Sequence, residues 1–120
     1  MARVLIVDDS AFARNSLKLT VEKGGHEVVG RAGNGREAVS LFTRLQPEVV
    51  MLDYLMAGET GNEVLVELIR IDPDAKVIMI SGMGHPAIQE EALQFGATCF
   101  LTKPYEREDI LQMIDKALHV

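Results

Sequence analysis

The chain has 120 residues, 48% apolar and 25% charged, which is the balance of an ordinary globular domain. That length holds one core and excludes a second, and a core of that size needs no disulfide staples. Twelve basic against 18 acidic residues, a net charge of −6, argue against a surface that coats nucleic acid, and a single cysteine excludes an internal disulfide framework.

The first predicted element is a strand, Val4-Leu5-Ile6-Val7, followed by a helix that Ser10 can cap and Gly24-Gly25 stops. A weaker run from Glu27 to Ala32 reads as an edge strand. Asn34 then precedes a helix whose Ala38, Leu41, Phe42 and Leu45 share one face, and Pro47 closes it. Val49-Val50-Met51-Leu52 is the third strand. Thr60 and Glu63 have capping-box spacing ahead of Val64, Leu65, Leu68 and Ile69. Val77-Ile78-Met79-Ile80 is the fourth strand, and Pro86 suits the first turn of a helix that Gly96 stops. Cys99-Phe100-Leu101 is the fifth strand, and Ile110, Ile114, Ala117 and Leu118 stripe the last helix. The four central runs are short, branched and apolar without alternation, as strands buried on both faces must be. The pattern is (βα)5, an α/β fold with helices on both faces of a parallel sheet.

No apolar run approaches the roughly 20 residues that span a bilayer. Met1-Ala2-Arg3 leads straight into the first strand without signal-peptide anatomy. The expectation is a cytoplasmic single domain over residues 1–120, with no membrane and no direct nucleic-acid contact.

In an open parallel sheet all strand C-terminal ends lie along one edge, where ligands bind. The central runs end there at Asp8-Asp9, Asp53, Ser81 and Thr102-Lys103-Pro104. Three carboxylates and one ammonium would leave a double negative charge in one crevice. Like charges about 4 Å apart repel by roughly 4 kcal/mol at an effective dielectric near 20, so either a carboxyl protonates or a cation binds. Oxygen donors without a His or Cys cluster select a hard ion, Mg2+ before zinc. The loop Asp8-Asp9-Ser10-Ala11 would repel a bare phosphate, and Gly30, Gly33 and Gly35 lack dinucleotide-fingerprint spacing. No G-x-S-x-G or Cys/His pairing supports a hydrolase triad. Taken singly, Asp8-Asp9 also reads as a solvated turn, Ser81 as a turn cap and Phe100 as ordinary packing.

Taken together, over nearly the whole chain, these residues resemble the receiver domain of response regulators, of the chemotaxis CheY type. The resemblance rests on Asp8-Asp9 after V-L-I-V, Asp53 after V-V-M-L, Ser81 after V-I-M-I, and Lys103-Pro104 after F-L-T. It implies a doubly wound, flavodoxin-like sheet in strand order 2-1-3-4-5. It also implies that Asp53 is the phosphoacceptor, and that Asp8, Asp9, Asp53 and the Leu55 backbone carbonyl bind Mg2+. Lys103 would meet the phosphoryl oxygens, Ser81 would bond them after phosphorylation, and Phe100 would be the switch aromatic. In the family the Lys-Pro bond is usually cis. The implied donor is a sensor histidine kinase or phosphotransfer protein. The implied target is a flagellar motor switch or an output domain, bound by the fourth helix, fifth strand and fifth helix of a monomer. Such a protein catalyses only its own phosphorylation and dephosphorylation.

Four positions depart from the family pattern. Ala57 stands where proline is common, so that loop is expected to be less rigid. Leu55 and Met83 are apolar where the family lines the path of the hydrolytic water, so the phosphorylated form is expected to be long-lived. Phe100 lacks the tyrosine hydroxyl often found there. A degenerate receiver acting as a phosphorylation-independent interaction module is the alternative. An aspartate-nucleophile phosphohydrolase is disfavoured because Leu55 replaces its second acid. Cys99 reads as core, His26 and His119 as solvated, His85 as a loop residue near the site, and Met51, Met56 and Met79 as packing.

Overall fold

A computed structural model describes residues 1–120. The chain runs β1 (Arg3–Val7), α1 (Ala11–Lys23), β2 (Glu27–Ala32), α2 (Gly35–Leu45), β3 (Val49–Asp53), β4 (Leu55–Met56), β5 (Glu59–Thr60), α3 (Gly61–Ile71), β6 (Val77–Ser81), α4 (Pro86–Gln94), β7 (Cys99–Thr102) and α5 (Arg107–Leu118). The main sheet is five-stranded and parallel, in the order β2-β1-β3-β6-β7, which is 2-1-3-4-5 of its own strands. No helix is long and apolar enough to cross a membrane.

The unbroken apolar runs have a direct explanation. Successive strand residues point to opposite faces, and here both faces are core. Leu5, Val7, Val50, Leu52, Val77 and Met79 pack under Ala38, Phe42, Val64, Leu65, Leu68 and Ala92 of α2, α3 and α4. Val4, Ile6, Val49, Met51, Ile78, Ile80 and Cys99 pack under Leu17 and Val21 of α1 and Ile110, Ile114 and Ala117 of α5. Each fully buried aliphatic side chain contributes about 1.5–3 kcal/mol.

Most helix punctuation falls where the sequence predicts. Ser10 accepts Ala13 N–H, Asn34 accepts Glu37 N–H, and His85 caps α4 by accepting Ala87 N–H at 3.1 Å, with Pro86 in the first turn. Thr60 is a correction: it occupies the cap position of α3 but makes no side-chain cap bond. Its backbone is committed to a two-strand hairpin, Leu55 against Thr60 and Met56 against Glu59. The hairpin turns through Ala57-Gly58, where Gly58 takes φ 79°, a left-handed backbone that glycine adopts without a Cβ penalty. Strands of two residues are too short to leave a periodic signal. At α5 the capping box is Glu106 with Asp109, which the apolar stripe did not reveal. His26 is also corrected from solvated to half-buried, because its Nδ1 accepts Ala2 N–H at 2.9 Å.

Gly61 opens α3 directly beneath the end of β3, and its N–H donates to the Tyr54 carbonyl. A Cβ there would stand 2.7 Å from the Asp53 carbonyl oxygen and 2.7 Å from Met79 Sδ. Neither backbone nor buried thioether can move aside without loss. Gly61→Ala is therefore expected to cost about 1–3 kcal/mol, read as a lower urea midpoint at unchanged m-value. A midpoint equal to wild type would show that the close approach carries no energetic weight.

Candidate functional site

Three strand ends and the loops leaving them build one acidic crevice. Asp8 follows β1, and its N–H donates to the Ala32 carbonyl at 3.0 Å, holding it in line with the sheet. Its Oδ1 accepts Ser10 N–H at 2.9 Å, an Asx turn that leads the chain into α1. Arg14 Nη1 donates to the Asp8 carbonyl at 2.6 Å and braces this turn from α1. Asp9 is exposed, and its Oδ2 accepts Ala57 N–H from the hairpin turn at 2.8 Å. Asp53 is the last residue of β3 and only 7% exposed, against 3% for Asp8. One carboxylate oxygen each from Asp8, Asp9 and Asp53 lie within 4.8 Å of one another.

Lys103 approaches from β7. Its N–H donates to the Ser81 carbonyl at 2.8 Å, and its Nζ stands 3.1 Å from Asp53 Oδ1. The Lys103–Pro104 peptide is cis. Burial raises the Asp53 pKa, the Lys103 hydrogen bond and charge lower it, and the Asp8 and Asp9 charges raise it, with a net upward result. Burial pulls Lys103 down, but the hydrogen bond and charge of Asp53, with the Asp8 charge, hold it above its usual value. Burial is the first cause of the Asp53 shift, and the neighbouring carboxylates push both groups upward. The donor set is oxygen only: Cys99 is buried in the core beneath α5, and His85 Nδ1 is committed to the α4 cap. Three clustered carboxylates with no imidazole or thiolate fit a hard divalent ion such as Mg2+.

Ser81 ends β6 and is buried, but its hydroxyl is spent on its own loop. Oγ accepts Met83 N–H at 2.9 Å and donates to the Met83 carbonyl at 3.2 Å. Phe100 pairs with Met79 across β6 and β7 and packs half-buried against the α2–α3–α4 core. Leu55 begins β4 with its side chain 62% exposed, and Met83 is also exposed. The Ala57 N–H, which a proline would lack, ties the hairpin turn to Asp9.

Two neighbours escaped sequence reasoning. Arg14 reads as one more charge on an amphipathic helix. Tyr105, two residues past Lys103, is half-buried; burial raises its hydroxyl pKa, opposed by Lys103, with Asp8 and Asp53 adding to the rise. The largest cleft, about 490 Å3 between α2 and α3, contains none of these residues. Charge, not cavity size, marks the site.

An α/β protein with such a crevice at the carboxyl edge of its sheet belongs to the doubly wound class that binds ligands there. The family model described as "Response regulator receiver domain" matches residues 4–115, and the chain belongs to that family. Within it, the resemblance is to the chemotaxis type. The chain is 43% identical to chemotaxis protein CheY of Thermotoga maritima over 95% of both sequences, and 39% identical to CheY of Bacillus subtilis over 98% of both. The structure of the CheX–CheY–BeF3–Mg2+ complex from Borrelia burgdorferi superposes with TM-score 0.90 at 33% identity, over 93% of this chain and 85% of that one. The response regulator domain of Thermotoga maritima CheB does so with TM-score 0.90 at 37% identity, over 98% and 96%.

Proposed function

We propose that this chain is a phosphorylation-dependent signalling switch whose phosphoacceptor is Asp53. The observation that carries the reading is the meeting of Asp8, Asp9 and Asp53 with Lys103 Nζ 3.1 Å from Asp53 Oδ1. Asp8, Asp9, Asp53 and the Leu55 backbone carbonyl would hold Mg2+. Bound there, the ion supplies neutralisation of charge on the oxygens of the transferring group.

The donor is a phosphohistidine on a sensor histidine kinase or phosphotransfer protein, and small phosphodonors substitute for it. The Asp53 carboxylate attacks phosphorus in line, a P–O bond forms, and the P–N bond to the histidine breaks. Lys103 meets the phosphoryl oxygens and Asp8 and Asp9 stay ionised, so positioning and electrostatics supply most of the rate. The acyl phosphate carries about two negative charges where the carboxylate carried one, on oxygens that reach further into the crevice. These draw the Ser81 hydroxyl away from the Met83 carbonyl, which shifts the loop from Gly82 to His85. Phe100 then moves by packing alone, and the surface of α4, β7 and α5 changes its preference for a downstream protein. A flagellar motor switch component or an output domain fits that role, with the chain acting as a monomer. The receiver spans residues 1–120, and its chemistry is confined to its own phosphorylation and dephosphorylation.

Incubation with acetyl phosphate is expected to label the chain in Mg2+ and not in EDTA, and beryllium fluoride is expected to shift α4 and β7 resonances only with Mg2+. No response in either assay would favour an interaction module that works unphosphorylated.

The exposed apolar side chains of Leu55 and Met83 offer hydrolytic water no hydrogen bond. Leu55→Asn supplies one, worth about tenfold in rate if it forms mainly in the transition state. Phosphate loss timed after removal of the donor should accelerate accordingly. An unchanged or slower decay would refute a long-lived phosphorylated form set by Leu55.

A further inference from the structure

The β4–β5 hairpin carries the Leu55 carbonyl, yet it consists of two residue pairs only, Leu55 with Thr60 and Met56 with Glu59. A two-stranded hairpin of that length does not hold itself together in water. It is held from outside instead. The Met56 side chain is buried in the core under α2, α3 and α4. Ala57 N–H donates to Asp9 Oδ2, although Ala57 leaves φ free where a proline would fix it. The remaining tie is on the returning strand: Glu59 Oε2 accepts the N–H of Gly35, the first residue of α2, at 2.8 Å.

Both ends of this tie are shaped for it. Gly35 is buried, and its N–H is one of the donors that a helix leaves without a partner of its own. Asn34 cannot serve it, because its side chain accepts Glu37 N–H. A Cβ at residue 35 would stand 2.3 Å from Glu59 Oε1 and 2.8 Å from Val64 Cγ2, so only glycine admits the carboxylate. Glu59 shares the α2–α3 cleft with Arg36 but forms no ion pair with it, and its carboxylate bonds the α2 backbone alone. The helix dipole favours a negative charge at that end. The anchor is firm, since Ala38 and Phe42 fix α2 in the core.

We propose that Glu59 is a positioning residue for the metal site. Bonded to the head of α2, it fixes the hairpin so that the Leu55 carbonyl is in place before a divalent ion arrives. The inference rests on the Mg2+ site proposed above. A loop ordered in the free protein binds more tightly than one that must be ordered on binding. Groups that orient metal ligands from outside the coordination shell commonly change affinity by about tenfold or more. Glu59 also carries charge, and the test separates charge from clamp.

The full 15N-labelled chain and its Glu59→Ala, Glu59→Gln and Gly35→Ala variants are titrated with Mg2+ at a temperature where each is folded. Alanine and glutamine remove the same charge at residue 59, but glutamine keeps an oxygen acceptor for Gly35 N–H. Glu59→Ala is expected to bind Mg2+ about tenfold more weakly, read at the Asp53 and Leu55 amides, and Glu59→Gln within roughly twofold of wild type. Gly35→Ala, which drives the carboxylate off from the other side, should repeat the loss. In EDTA, order parameters of the Ala57 and Gly58 amides should fall from about 0.85 to about 0.6 or less in Glu59→Ala and stay high in Glu59→Gln. Wild-type Mg2+ affinity in Glu59→Ala or Gly35→Ala, equal losses in Glu59→Ala and Glu59→Gln, or unchanged order parameters would each overturn this inference alone. A wild type that takes up no Mg2+ would overturn the metal site itself, and the inference with it.

Discussion

Asp53→Asn is expected to take up no label from acetyl phosphate in Mg2+, and to melt above wild type in EDTA. The first effect follows from loss of the attacking oxygen, since an amide is no nucleophile at phosphorus. The second follows from charge. The folded protein holds the Asp53 proton more firmly than an unfolded chain does, through burial and the neighbouring Asp8 and Asp9 charges, which outweigh Lys103. A carboxyl whose pKa is raised on folding binds more protons in the native state, so stability falls as pH rises above its ordinary value of 3.8 and through the folded value. At neutral pH the penalty is complete, and a neutral amide of the same shape removes it. Each kcal/mol recovered raises Tm by about 4 °C in a domain of this size. The gap between variant and wild type should widen from pH 4 upwards and shrink on adding Mg2+, which stabilises wild type by mass action. Label retained on the Asn variant would dismiss Asp53 as acceptor. A variant that melts below wild type in EDTA would dismiss the charge argument.

Lys103→Ala is expected to slow phosphorylation about 100-fold or more, the usual loss when one fixed donor to a developing anionic charge is removed. Its effect on the metal-free protein should have the opposite sign to that of Asp53→Asn. The Lys103 pKa is raised by folding, the Asp53 contacts outweighing burial, so its contribution to stability is present below its ordinary value of 10.5 and is lost as pH rises through the folded value. Removing it at neutral pH leaves Asp8, Asp9 and Asp53 without their cation, and Tm should fall. In a double-mutant cycle, Asp53→Asn should stabilise the Lys103→Ala background more than wild type, because the lysine no longer offsets the buried charge. Additive changes in Tm would show that the 3.1 Å pair contributes no coupling. Arginine should not restore the rate at this position, since a planar guanidinium cannot take the place of a compact ammonium.

The strands and most helix boundaries were legible because local rules govern them. Both-faces burial demands unbroken apolar runs, and Ser10, Asn34 and Pro86 act within a few residues of themselves. The acid and lysine positions were legible for a related reason: in a parallel sheet every strand ends on the same edge, so a polar residue closing an apolar run is placed without knowledge of any contact. Long-range bonds were not legible. The Asp9–Ala57 bond joins residues 48 apart, and the Asn62–Glu91 bond residues 29 apart. The β4–β5 hairpin is too short for periodicity, and Thr60, which ends it, stands at the α3 cap position without a side-chain cap bond. The Ser81 hydroxyl illustrates the division most clearly. Its place at the end of β6 follows from hydrophobic pattern, but its bond to Met83 instead of the acidic cluster depends on how the following loop turns. Pattern reports which side of the sheet and which edge a residue occupies, because those are set by repeat geometry. Partners depend on where loops and helix faces meet in space, and only the folded chain decides that.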